Sequence, residues 1–207
     1  TGTMLNTIPV VLVFAGHDPC GGAGIQADIE AIASQGCHAA TTITALTVQD
    51  TRDVQEFRPL GAVDVITQAR AVLEDMPVAA FKLGMLGSVQ NVEAIHTILS
   101  DYPEIPVVLD PVLASGSGTR LGEGELVEAM RVLLLPLTTV LTPNSPEART
   151  LARGADTIDA CALSLLAAGG VGVSQGHADG PPGAPSPEGV EPSFARMPGP
   201  AVEGHWR

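Results

Sequence analysis

The residues best suited to chemistry lie in four short stretches. The first is His17 to Asp28, HDPCGGAGIQAD. Gly21, Gly22 and Gly24 let the backbone bend tightly and let a ligand come close, because no Cβ stands in the way. Where such a loop runs into a helix, the first amides and the positive end of the helix dipole point at whatever is bound there. Asp28 follows Gly24 by four residues, about one turn, and brings a carboxylate to the mouth of the same pocket. The same residues would equally serve a tight connection whose glycines only ease packing.

The second stretch ends in Gln49, at the close of TTITALTVQ. A primary amide offers donors and an acceptor side by side, which suits the polar edge of an aminopyrimidine or a similar heterocycle. A solvated residue at a strand end is the alternative. In the third, Asp110-Pro111 closes an apolar run and Ser115-Gly116-Ser117-Gly118 follows. An aspartate there can ligate a metal or orient a water, or it can cap the next turn. The fourth, Thr142 to Glu147 (TPNSPE), places an amide and a carboxylate three residues apart at a helix start. Asn144 and Glu147 would face the same way, and such oxygen donors suit Mg²⁺; a helix N-terminus capped by Asn144 or Ser145 explains them as well. Within the first stretch, Gly22-x-Gly24-x-x-Ala27 fits the dinucleotide fingerprint only loosely. His17 to Gly21 separate it from the strand, and no acidic residue closes a second strand about 20 residues on. No Walker A lysine motif occurs.

Positioning these residues requires strands that alternate with helices. Apolar runs predict strands at Val10 to Ala15, within the longer run Ile8 to Gly16, and at Thr42 to Val48, Ala79 to Leu83, Val107 to Asp110 and Thr138 to Leu141, with a weaker sixth at Val171 to Ser174. Helical periodicity falls at Ala23 to Ser34, Val63 to Glu74, Val89 to Leu99, Glu123 to Leu134, Pro146 to Ala152 and Ile158 to Ala167. That alternation predicts an α/β fold, a mostly parallel sheet with helices on both faces. Ligands bind such sheets beyond the carboxyl ends of the strands. His17, Gln49, Gly84, Met85, Asp110 and Asn144 all fall there.

Composition narrows the function. A length of 207 residues suffices for one domain with a sizeable core. Lys plus Arg is 10 against Asp plus Glu 23, a formal charge of −13. Nucleic acid and anionic membrane surfaces are therefore poor partners, whereas a small phosphorylated ligand held by amides and a metal is not excluded. Cys20, Cys37 and Cys161 are odd in number and widely spaced, so neither a disulfide framework nor a zinc site is expected. The cytosol is the default compartment. No run of about 18 apolar residues predicts a membrane span. With no Lys or Arg before Arg52, no signal peptide is expected.

In this order and spacing, HDPCGGAGIQADIEAIASQG, TTITALTVQDTRDV, FKLGMLGS, VVLDPVLASGSG and LTPNSPEA resemble the hydroxymethylpyrimidine/phosphomethylpyrimidine kinases of thiamine biosynthesis, members of the ribokinase-like superfamily. The likeness covers about residues 8 to 179. It implies that Asp28 and Gln49 hold the pyrimidine and its hydroxymethyl group, with Gly16 and Met85 lining the pocket. It implies that Asn144 and Glu147, in the superfamily's N-x-x-E pattern, serve the phosphates of ATP, and that Asp110 and Glu147 serve Mg²⁺. The implied reaction passes the γ-phosphoryl of ATP to the hydroxymethyl oxygen and then to the monophosphate. Positioning and charge neutralisation, not covalent chemistry, drive such transfers.

The departure from the family lies at the C-terminus. A glycine-rich G-[TS]-G-C loop with an anion-hole cysteine is expected beyond Gly176 to Asp179, and the sequence instead continues as GPPGAPSPEGVEPSFARMPGPAVEGHWR. Cys161 lies in a helical pattern and is no substitute, so no catalytic residue is assigned. The expectation is a C-terminally truncated ribokinase-like domain over 1–179 and a Pro/Gly-rich irregular tail over 180–207. The function expected is the pyrimidine kinase, with a small-molecule pyrimidine as partner and a homodimer possible. A catalytically weak or silent pyrimidine-binding protein and a pyridoxal-type kinase are the alternatives.

Overall fold

The computed structural model describes residues 8–113 and 124–169, together with 172–173 and 195–196. The chain begins with β1 (Val10–His17) and α1 (Gly24–Ser34), followed by β2 (His38–Gln49) and β3 (Val54–Pro59). Next come α2 (Ala62–Asp75), β4 (Val78–Leu83), α3 (Val89–Asp101) and β5 (Val107–Leu109). α4 (Glu125–Ala129) continues as a π-helical turn, Met130–Leu134, and a 3₁₀ turn, Leu135–Leu137. β6 (Val140–Leu141), α5 (Ser145–Ala152), α6 (Ile158–Ala167), β7 (Gly172–Val173) and β8 (Ala195–Arg196) complete the described chain.

One sheet runs in the order β3-β2-β1-β4-β5-β6-β7-β8. From β2 through β7 every pair is parallel, and β3 and β8 add antiparallel edges. The chain leaves β1 to one side for β2 and β3 and then returns to the other side as β4. The strand order therefore reverses between β1 and β4, where a crevice opens at the carboxyl ends of an α/β sheet.

Strand parity assigns the two faces. Leu12 and Phe14 of β1, Phe81 and Leu83 of β4, and Val107 and Leu109 of β5 belong to the large core that α2, α3 and the α4 region cover. Phe81 stands between Phe14 and Tyr102, with ring centroids 6.3 and 6.5 Å away. The opposite parity of β1, Val11, Val13 and Ala15, packs with Ile43 against Ile25 and Ile32 of α1. Lys82 has this second parity in β4. Asp110, the next residue after β5, continues it.

The five principal predicted strands and all six predicted helices are present, with shifted ends. Thr138 and Thr139 precede β6, and β5 stops at Leu109, which leaves Asp110 on the loop. Of the sixth predicted strand, Gly172–Val173 is strand, and Val171 and Ser174 lie outside the described residues. The segment predicted as a helix over 123–134 begins at Glu125, and from Met130 it widens into the π turn that Pro136 helps to end. Glu123 and Ser115 to Gly118 lie outside the described residues, as does most of the tail; its Ala195–Arg196 pairs with Gly172–Val173.

β3 was not predicted. Its pattern, VQEFRP, carries Glu56 and Arg58, which pair with each other at 2.8 Å on an exposed surface. Charges and a proline are the marks of an edge strand, and they hide its period. Asp50 closes the β2–β3 hairpin by accepting from the amides of Arg52 (2.8 Å) and Asp53 (3.0 Å).

Candidate functional site

At the end of β1 the glycine loop is organised by Asp18, a buried carboxylate. Its Oδ1 accepts from the Cys20 amide at 2.8 Å, and its Oδ2 accepts from Gly22 (3.0 Å) and Ala23 (2.9 Å). The Asp18 amide in turn donates to Gln26 Oε1 at 3.0 Å. The amides of Gly22 and Ala23, just ahead of the first helical residue Gly24, are thereby met by an internal carboxylate that lies near the positive end of the helix dipole. Sequence reasoning overlooked Asp18, although an aspartate two to five residues before a glycine-rich helix start is the usual signature of such a side-chain turn.

Two glycines set the spacing of this corner. Gly24 opens α1 at φ +59°, and a Cβ on it would collide with the Gly16 carbonyl oxygen. A Cβ on Gly16 would collide with the terminal methyl of Met85. Gly16 and Met85 therefore meet face to face across the strand-order reversal. Met85 belongs with Ala45 to a small apolar cluster, separate from the main core, which Val54, Phe57 and Val112 border. The Met85 carbonyl is pinned by the Thr44 hydroxyl. Asn91 of α3, wholly buried, donates from Nδ2 to the carbonyls of Leu86 (2.9 Å) and Thr44 (3.2 Å).

Asp28 faces Lys82. The ammonium lies 2.9 Å from Oδ1 and 3.0 Å from Oδ2, so both oxygens are engaged by one cation. Asp110 Oδ2 stands 3.8 Å from the same nitrogen. Burial pushes the Asp110 carboxyl above its ordinary value; Lys82 opposes that rise and the Asp28 charge adds to it. Lys82 was missed by sequence reasoning, yet the signal was there. In AAFKL the alternation sends Phe81 and Leu83 into the core and leaves a lysine on the other face of an interior strand.

Asn144 and Glu147 form a reciprocal capping box at the start of α5. Asn144 Oδ1 accepts from the Glu147 amide at 2.8 Å, and Glu147 Oε2 accepts from the Asn144 amide at 2.9 Å. Glu147 is buried, and its Oε1 accepts from the Leu113 amide at 3.4 Å. The loop after β5 is thus tied to α5, and the Val112 amide bonds the Asp110 carbonyl at 2.9 Å. Asp28 and Asp110 thus meet at Lys82, while Glu147, joined to Asn144 by the capping box, is tied through the Leu113 amide to the loop that follows Asp110. Gln49 stands at the end of β2, opposite Val54, and its carbonyl accepts from the Cys20 thiol at 3.4 Å. The hairpin tip thereby touches the glycine loop.

The three cysteines are free. Among the described residues no helix is long and apolar enough to cross a membrane.

The family described as Phosphomethylpyrimidine kinase matches residues 18–178. The hydroxymethylpyrimidine/phosphomethylpyrimidine kinase of Haemophilus influenzae is 39% identical over 147 residues, 71% of this chain; the chain spans 55% of that relative's length. A crystal structure of phosphomethylpyrimidine kinase from Clostridium difficile 630 superposes with a TM-score of 0.74 at 34% identity, covering 84% of this chain and 78% of that one. The ADP complex of Bacillus subtilis pyridoxal kinase superposes at 0.71 with 28% identity, covering 82% of this chain and 65% of that one. The fold is that of the ribokinase-like kinases. With the match running from the Asp18 turn through the strand ends and past the capping box of α5, the chain belongs to the phosphomethylpyrimidine kinase family.

Proposed function

We propose that this protein transfers the γ-phosphoryl of ATP to 4-amino-5-hydroxymethyl-2-methylpyrimidine, and then to its monophosphate, as part of thiamine diphosphate synthesis. The observation that carries the reading is the meeting of Asp28, Lys82 and Asp110 beside the Gly16–Met85 contact, at the reversal of strand order. An apolar cluster flanked by a carboxylate and an amide suits a flat, methylated ring with polar edges. Gly16 and Met85 would line that ring. Asp28 would accept from its hydroxymethyl or amino group, and Gln49 would pair with its heterocyclic edge.

Mg²⁺ would neutralise charge on the transferring phosphates. The donors fit it in kind. Asp110 and Glu147 are hard oxygen ligands, and Mg²⁺ keeps several waters while taking one or two carboxylates beside substrate phosphates. Among the described residues no three His, Cys, Asp or Glu side chains gather into a metal cage. Asn144 would act with Glu147 toward the nucleotide, using the Nδ2 that the capping box leaves unengaged.

The test is an ATP-dependent assay followed by mass spectrometry of the pyrimidine. Formation of the monophosphate and then the diphosphate supports the reading. Pyridoxal phosphate formed in its place would support the pyridoxal-type kinase, which the likeness to the Bacillus subtilis enzyme favours as second reading. Binding of the pyrimidine without turnover would identify a silent binding protein. A cytosolic location, a homodimer, and a kinase domain over 1–179 followed by a tail over 180–207 belong to the same proposal. Gel filtration addresses the homodimer.

A further inference from the structure

We propose that Lys82 is a positioning residue that couples the two halves of the site, orienting Asp28 for the pyrimidine while competing with a divalent cation for Asp110. The proposal rests on the functional reading above for the identity of the two ligands. Three observations carry it. First, Lys82 is a half-buried cation in an interior parallel strand, a position where an apolar residue would cost less desolvation. Second, its ammonium engages both oxygens of Asp28 and stands 3.8 Å from Asp110, so three elements converge on a single nitrogen. Third, the room it occupies is reserved: a Cβ on Gly84 would come within 3.0 Å of the Lys82 nitrogen and 3.2 Å of the Ala15 Cβ.

The electrostatics follow directly. Two carboxylates share one ammonium, so the group carries a net charge of one negative unit and can accept a further cation. A divalent ion at Asp110 would repel the ammonium toward Asp28, and removing the ammonium would leave Asp110 more attractive to that ion. For the pyrimidine the effect has the opposite sign. Without Lys82 the Asp28 carboxylate is free to rotate, and the orienting contact is lost. A residue needed only for packing would not move two affinities in opposite directions.

The experiment measures both ligands on the full chain, with Mn²⁺ alone as a spectroscopic probe of the cation site and hydroxymethylpyrimidine by calorimetry. In Lys82→Met, Mn²⁺ should bind on the order of tenfold tighter and the pyrimidine on the order of tenfold weaker. Lys82→Arg, which keeps the charge, should restore most of the pyrimidine affinity and reverse the gain for Mn²⁺. If the Met variant does not fold, Gly84→Ala crowds the ammonium with the charge retained, and it should tighten Mn²⁺ binding and weaken pyrimidine binding to a smaller extent. Unchanged affinities, a parallel loss of both, or no Mn²⁺ binding by any variant would overturn the proposal. Wild-type protein that binds Mn²⁺ but no pyrimidine would sink the functional reading instead, and the Mn²⁺ comparison would still decide the role of Lys82 at Asp110.

Discussion

Glu147 has two duties at a single side chain. One oxygen closes the capping box of α5, and the other reaches the loop that follows Asp110. Glu147→Gln keeps an acceptor for the Asn144 amide but loses the charge at the helix start, so stability should fall by about 0.3–1 kcal/mol. If the carboxylate also serves Mg-ATP, the same variant should lose nucleotide-dependent stabilisation; thermal melts with and without Mg-ATP separate the two effects. Gln49→Ala should weaken pyrimidine binding by about 1–3 kcal/mol in calorimetry, because a buried polar edge would lack its partner. Asp110 yields a pH signature in metal-free buffer. Its folded-state carboxyl titrates above the ordinary 3.8, so on raising the pH the unfolded chain releases that proton first. Between the two values the folded state holds more protons, and stability falls as pH rises through that window. Asp110→Asn should match wild type below pH 3.8 and exceed it at neutral pH, as read from urea midpoints.

At the scale of elements, the β1–α1 corner depends on the Asp18 turn. Asp18→Ala would leave the amides of Cys20, Gly22 and Ala23 without their acceptor. A loss of about 2 kcal/mol or more is expected in chemical denaturation, with pyrimidine binding weakened through the displaced loop. A variant as stable as wild type would show that water replaces the carboxylate at no cost. This corner also shows where sequence reasoning succeeds and stops. The strand, the loop and α1 follow from apolar periodicity and glycine chemistry. That Asp18 takes the amides of Cys20, Gly22 and Ala23 does not, because glycine spacing is the same with or without an internal carboxylate. Lys82 and Asp110 lie 28 residues apart in sequence and meet only through the β4–β5 pairing. β3 stayed hidden because an edge strand with alternating charges has little apolar period to detect. The π turn at Met130–Leu134 has no distinguishing period either, since its apolar residues satisfy an α-helix equally well.

For the whole molecule, strand order decides where the site lies, and order is what a linear pattern carries least. Alternating strands and helices predicted a parallel sheet; the return of the chain past β1 to β4, which opens the crevice, is a tertiary choice. A ligand seated in that crevice bridges the two halves of the sheet and should raise global stability. At a hundred times its dissociation constant the pyrimidine should add about 2.7 kcal/mol to the unfolding free energy. Denaturant titration with the pyrimidine, and with pyridoxal as control, measures this; no shift with either would remove both from the crevice.

The contact between Gly16 and Met85 bears on how this pocket can change over generations. At Gly24 an added methyl meets a backbone carbonyl, which has nowhere to go, and φ is +59°, so only glycine fits there. At Gly16 the added methyl meets the end of the most flexible apolar side chain available, which can swing aside. Gly16→Ala would therefore be survivable, and its effect would be a smaller cavity rather than a broken fold. A later replacement of Met85 by a shorter residue would reopen the space in a different shape. Two tolerated steps, neither passing through an unfolded intermediate, thus connect one ligand outline to another, and paired changes at these two positions are the trace that such a history would leave.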